Sequence, residues 1–187
     1  MERTTDNLIA LLGPHYNNAL QYCRALYTNC KDAEDGLQDA IISAMRHFRS
    51  LRNDSMFKSW FFTIITRTFY YSQRKQAASS KLFIPLQESH HTFPEVYNDN
   101  YLGEREKIML VALDVLSEKE RTAILLFEIG GLSLEQIMKV QREKSISAIK
   151  SRLSRTRLKL RNTIVKMENT NHEKGGNYDI KTCISGK

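Results

Sequence analysis

The chain has 187 residues, 41% hydrophobic and 26% charged, which is the balance of a packed globular protein rather than a disordered one. Eight glycines and three prolines are too few for a collagen-like, low-complexity or turn-dense all-β chain. No apolar run reaches the ~18–20 residues of a membrane span. The opening MERTTDN lacks the pattern of a secretory signal. Cys23, Cys30 and Cys183 are an odd number at no metal-like spacing. A reduced, soluble, cytoplasmic protein without disulfide framework, metal site or membrane insertion is expected.

The net charge of +7 is unevenly placed. Residues 141–166 hold nine bases and one acid, a local excess of +8 that is larger than the charge of the whole chain. Residues 64–81 add Arg67, Arg74, Lys75 and Lys81 without an acid. Residues 31–39 run the other way, with Asp32, Glu34, Asp35 and Asp39 against Lys31. Two basic stripes and one acidic stripe imply a polyanionic ligand and a separate partner, with solvated helix faces as the competing account.

Nearly every segment reads as helix. Thr5 or Asp6 caps an opening stretch in which Leu8, Leu12, Ala19, Leu20, Cys23, Leu26 and Tyr27 recur at helical spacing, with Pro14 as a kink or restart. Asp32 caps a second helix whose inward stripe is Ala33, Leu37, Ala40, Ile41, Ala44 and Phe48. Asp54 or Ser55 opens a third, with Phe57, Trp60, Phe61, Ile64, Ile65, Thr68 and Phe69 as its apolar positions. Residues 82–104 break the pattern: Pro85, Pro94, four acids and no base predict an extended acidic linker.

Helical signals resume with Ile108, Val111, Ala112, Val115 and Leu116. Ser117 with Glu120 fits a capping box opening a helix that turns Ala123, Ile124, Phe127 and Leu126 inward. Gly130-Gly131 ends it. Ser133 with Gln136 is a second capping box, opening a short helix to about Val140. A long basic helix follows from about Ser145 to Met167, and residues 169–187 read as a flexible tail.

Two short helices joined by a turn, the second long and basic, make a helix-turn-helix arrangement. Ile149, Leu153, Thr156, Leu160 and Ile164 fall on one face of the long helix, leaving Ser147, Ala148, Ser151, Arg152 and Arg155 opposite. Small residues let the backbone approach a major groove, where arginine binds guanine bidentately. Lys150, Arg157, Lys159 and Arg161 flank this surface and suit phosphates. The third helix mixes Trp60, Phe61, Phe62, Phe69, Tyr70 and Tyr71 with Arg74 and Lys75. Some of these rings must fill a core; exposed ones beside cations suit single-stranded DNA, whose bases stack on rings. Acids at the start of the second helix are explained by the macrodipole, but Gln38 and Asp39 extend the polar face beyond its reach. His15, His47, His90, His91 and His172 are scattered, and P-loop, GxSxG and HExxH patterns are absent, so no catalytic residue and no cofactor is expected.

In order, these parts resemble the extracytoplasmic-function (ECF) sigma factors of bacterial RNA polymerase. Ala33-Glu34-Asp35-Gly36-Leu37-Gln38-Asp39 is similar to the family's A-E-D-x-x-Q-[DE] segment. Trp60-Phe61-Phe62-Thr63-Ile64 followed by Arg74 resembles its promoter-melting helix, and Leu116-Ser117 through Arg121 the start of its region 4. Residues 150–157, KSRLSRTR, resemble K-S-R-L-x-R-A-R of the helix that reads the −35 element. The resemblance implies an all-α fold of two small domains: a region-2 bundle over 1–81 and a region-4 helix-turn-helix over 105–168, joined by the acidic linker 82–104.

It further implies that Glu34, Asp35, Gln38 and Asp39 dock on core RNA polymerase. Trp60, Arg67, Tyr70, Tyr71, Arg74 and Lys75 would act on the single-stranded −10 element. Ser147, Ala148, Lys150, Ser151, Arg152, Arg155 and Arg157 would read the double-stranded −35 element. A cognate anti-sigma factor is a family expectation, and polymerase does the chemistry. The chain departs from the pattern at Gly36, Ile41, Arg67 and Tyr71, at Ser147-Ala148-Ile149 for G-T-V, and in a glycine-free turn one residue longer. The alternative is a free-standing helix-turn-helix regulator with an N-terminal sensing or dimerisation domain, which would not need the acidic and aromatic helices of residues 32–75. A helical protein that sequesters a partner is a third, and it leaves the basic segment unused.

Overall fold

The computed structural model describes residues 4–27, 30–80 and 103–173. Among them the chain is helical throughout, with α1 Thr5–Leu12, α2 Tyr16–Leu26, α3 Cys30–His47, α4 Phe57–Ser80, α5 Glu104–Asp114, α6 Glu118–Glu128, α7 Leu134–Gln141 and α8 Ile146–Glu173. No described residue lies in a strand. The linker expected over 82–104 lies outside the described residues apart from Gly103 and Glu104, and Glu104 already belongs to α5.

Local signals set most helix starts. Thr4, one residue earlier than expected, caps α1 by accepting from the Asn7 N–H. Pro14 sits in a 3-10 turn, Gly13–His15, that separates α1 from α2. Helix α3 is already formed at Cys30, so Asp32 stands in its first turn, where its charge favours the helix dipole, rather than at its cap. Asn53 accepts from Ser55 N–H and starts the turn that leads into α4, which places Asp54 and Ser55 within that turn. Both capping boxes form as read: Ser117 with Glu120, and Ser133 with Gln136. Helix α8 continues to Glu173, past the expected end near Met167, because no glycine or proline interrupts it before Gly175.

In the N-terminal half α3 packs between α2 and α4. Its stripe is buried at Ala33, Gly36, Leu37, Ala40, Ala44 and Phe48, with Ile41 half-buried. Helix α4 is buried on more than the one expected face. Besides Phe57, Phe61, Ile64, Ile65 and Phe69, it buries Phe62 and Thr66. The reason lies on α2: the Tyr22 ring meets Phe62 edge-on at 5.2 Å, and its hydroxyl shares a 2.8 Å hydrogen bond with Thr66, which also donates to the Phe62 carbonyl at 2.7 Å. Burial pushes the Tyr22 phenol and the neighbouring Cys23 thiol upward, the latter to about 12.

The C-terminal half wraps α8 with α5, α6 and α7. Ile149, Leu153 and Thr156 are buried on α8 as expected, with Leu160 and Ile164 half-buried. Leu113 and Leu125 join the core, whereas Val115 turns outward and is 51% exposed. Arg142 takes the left-handed conformation after α7, with φ at 54°, the position a glycine would fill more easily. The apolar core is continuous from Leu8 through Leu153 across both halves.

The departure at Gly36 has a packing cause. A Cβ there would come within 2.5 Å of the Tyr27 ring, which meets Phe69 edge-on at 5.1 Å. Tyr27 fills from α2 the volume that a bulkier residue on α3 would occupy. Gly36→Leu is therefore expected to lower stability in urea by about 2–3 kcal/mol through overpacking. Adding Tyr27→Ala to that variant should recover part of the loss, and additive losses would contradict the pairing.

Candidate partner and nucleic-acid interfaces

The acidic face of α3 is open. Glu34, Asp35, Gln38 and Asp39 are all exposed, although Glu34 makes a long 3.5 Å contact with Arg24 of α2. At that exposure the pair contributes little and leaves the face available. Ile42 and Met45 carry the same face toward the C-terminal end of α3 and are 46% and 44% exposed. Sequence reading missed these two. Their spacing from Gln38, four and then three residues, is the signal that would have found them.

Helix α4 divides its expected residues. Tyr71 is 71% exposed, and Arg67, Arg74 and Lys75 also face solvent. Trp60 is half-buried instead, tilted against Phe48 at 6.3 Å and Phe57 at 5.9 Å. Tyr70 is half-buried as well, and its hydroxyl bonds Thr122 of α6 at 2.9 Å. The rings therefore split three ways. Phe61, Phe62 and Phe69 fill the core, Trp60 and Tyr70 lie at its edge, and Tyr71 stands clear.

On α8, Ser147, Lys150, Ser151, Arg155 and Arg157 are exposed and Ala148 is half-exposed. Arg152 is the exception, with 16% of its side chain exposed. One arm of its guanidinium bonds the Gln141 side-chain oxygen and the other donates to Glu143 at 2.6 Å. Gln141 is fixed in turn, donating to the Lys119 carbonyl at 2.8 Å and the Thr122 hydroxyl at 2.9 Å. A guanidinium held at both ends by its own protein is a positioning group, not a free reader of bases. Hydrogen bonding to Arg152 holds the Glu143 carboxyl below its ordinary value.

Two further cations are tied back less deeply. Arg157 lies over the Phe127 ring at 5.1 Å and donates to Glu128 at 2.9 Å; Lys159 donates to Glu120 at 2.7 Å. For Glu120, burial pushes the carboxyl up, but the bonds from Lys159 and Ser117 outweigh it and the net direction is downward. Lys150 and Arg155 carry no ion pair among the described residues, and with Ser147 and Ser151 they form the open surface of the basic helix.

Among the described residues no group of three or more His, Cys, Asp and Glu could hold a metal ion. No helix among them is long and apolar enough to cross a membrane. The His90-His91 pair lies outside the described residues.

The family model described as Sigma-70 region 2 matches residues 11–79. The chain is 27% identical over 165 residues to the ECF RNA polymerase sigma-E factor of Haemophilus influenzae, covering 82% of this chain and 86% of that protein. It is 29% identical over 163 residues to the ECF RNA polymerase sigma-E factor of Escherichia coli K12, covering 82% and 85%. Among solved structures it is similar to the sigma factor RpoE from Bartonella quintana, crystallised with the anti-sigma factor NepR. There the TM-score is 0.65 at 28% identity, over 85% of this chain and 94% of that one.

Arg152→Met is expected to lower stability by about 2 kcal/mol, because Glu143 and Gln141 lose their partner while partly shielded. Arg155→Ala should stay within about 0.5 kcal/mol, and urea unfolding of both variants checks the contrast. Because Glu143 and Glu120 are depressed in the folded state, their contribution is complete above the ordinary value of 4.5 and is lost as pH falls through the lower native values. Stability should therefore drop on acidification below about pH 4.5, and Glu143→Gln should flatten that drop.

Proposed function

The chain belongs to the ECF sigma factors of bacterial RNA polymerase, and from that footing we propose how its surfaces share the work. It is a sigma factor that directs transcription initiation by RNA polymerase. The open acidic face of α3, Glu34, Asp35, Gln38 and Asp39 continued by Ile42 and Met45, docks on core polymerase. Arg67, Tyr71, Arg74 and Lys75 of α4, with Trp60 and Tyr70 at their edge, take the unstacked −10 strand: rings receive bases and cations follow the backbone. Lys150, Ser151 and Arg155, beside Ser147 and Ala148, enter the −35 major groove, and Arg157 serves phosphate.

Arg152 fixes the angle of α8 on α7 rather than reading a base. Base capture offsets an unstacking cost of a few kcal/mol per step, so opening is driven by binding, and the chain supplies no catalytic group. An anti-sigma factor is a further partner of the same surfaces, supported by the Bartonella quintana complex.

One observation carries this reading: the acidic face on α3 and the exposed cations on α4 and α8 are open on separate helices. A single DNA-reading surface would not need the first. The free-standing regulator is not favoured, because the family match falls on residues 11–79, the half such a regulator could do without.

Asp35→Arg is expected to weaken binding to core polymerase by about tenfold, or ~1.4 kcal/mol, with the helical circular-dichroism signal unchanged. Equal affinity in Asp35→Arg and Gln38→Ala would remove the docking assignment. Arg155→Ala should lower the slope of log affinity against log salt for promoter DNA by about 0.9, as one lost phosphate-range contact.

A further inference from the structure

Helix α8 carries several of its exposed cations in line. Lys150, Arg157 and Arg161 stand seven and then four residues apart, which puts them on one stripe about 16 Å long. Lys150 and Arg161 make no ion pair among the described residues, whereas Arg157 is held by two neighbouring residues of α6. Its guanidinium lies 5.1 Å from the centre of the Phe127 ring, and its Nη2 donates to Glu128 Oε1 at 2.9 Å.

The ion pair contributes little to the fold. The Arg157 side chain is 51% exposed and that of Glu128 54%, and pairs so open to water add little stability. Glu128 is moreover the last residue of α6, at the negative end of the helix dipole, where a carboxylate is disfavoured. The other two acids that hold cations of α8 have structural work. Glu120 closes the capping box of α6, and Glu143 pairs with Arg152, of which 16% is exposed. What remains for Glu128 is its effect on Arg157.

We propose that Glu128 is a positioning residue that competes with DNA phosphate for Arg157, and so lowers the affinity of α8 for DNA of any sequence. The inference rests on the functional reading above, in which α8 meets DNA. A cation that neutralises a phosphate releases counterions and gains affinity by it. Arg157 reaches a phosphate only by leaving Glu128, which puts an unpaired carboxylate beside the same backbone. The net charge delivered is then zero, and the contact gains little. Phosphate contacts carry no sequence information, so the loss falls equally on promoter and non-promoter DNA. Lys150 and Arg161 lie under no such restraint. Glu128 thus sets how many cations of the stripe count toward binding.

The test uses the whole chain and the variant Glu128→Gln, which keeps the size of the side chain and removes its charge. Each is titrated with a duplex of arbitrary sequence and with one carrying the −35 element, at several salt concentrations. At about 50 mM salt the variant should bind both duplexes about threefold more tightly, with the gain gone near 200 mM and the slope of log affinity against log salt steeper by about 0.9. In an Arg157→Ala background most of that gain should vanish. Unchanged affinity and slope in Glu128→Gln would overturn the inference, and so would a shifted urea midpoint with the slope unmoved, the mark of a merely structural role. An equal gain in the Arg157→Ala background would also overturn it, making Glu128 a long-range charge rather than a partner of Arg157. If the unaltered chain bound neither duplex at low salt, the functional reading of α8 would fall and the inference with it.

Discussion

A buried hydroxyl, that of Thr122, ties together helices from both halves of this molecule. It takes Tyr70 from α4, Gln141 from α7 and the Glu118 carbonyl of its own helix. Gln141 passes the connection to Arg152, and Arg152 to Glu143. Buried polar groups are costly unless all are paired, and among the described residues no buried side-chain nitrogen or oxygen lacks a partner. That requirement, together with the continuous apolar core, constrains the helices around α6. Tyr70 of α4 and Gln141 of α7 bond the threonine directly, and Arg152 of α8 is tied to it through Gln141.

The same chain of contacts sorts the basic charge by purpose. Residues 141–166 carry a net +8, but a surplus of cations does not make each one a ligand-binding group. Glu143, Glu120 and Glu128 draw Arg152, Lys159 and Arg157 back onto the protein. Lys150 and Arg155 are left facing outward, on the turns of α8 nearest its N-terminus. The acids thus set which cations brace the helix and which remain exposed. The acidic face of α3 escapes such use, leaving Asp35, Gln38 and Asp39 exposed to solvent.

Features written in neighbouring residues were legible before the structure. Both capping boxes are four-residue patterns, and the inward stripe of α8, Ile149, Leu153 and Thr156, repeats at helical spacing. The order of acidic, aromatic and basic helices was enough to suggest the family. What escaped depends on residues distant in the chain. Arg152 sits at the margin of the polar face, and only Gln141 and Glu143, placed by the turn at Arg142, decide that it points inward. Gly36 departs from the family pattern because the Tyr27 ring takes the space a Cβ would need. Tyr70 is 52 residues from Thr122, a pairing no helical period contains. The extra length of α8 was missed because residues 168–173 lack an apolar stripe, although nothing in them breaks a helix.

The division of surfaces depends on polymerase covering the acidic face of α3, where Ile42 and Met45 are 46% and 44% exposed. Hydroxyl-radical footprinting of the whole chain, free and bound to core polymerase without DNA, measures that cover directly. Slower oxidation of Ile42 and Met45 in the complex is the expected result. Oxidation of both at the same rate in the two states would contradict it.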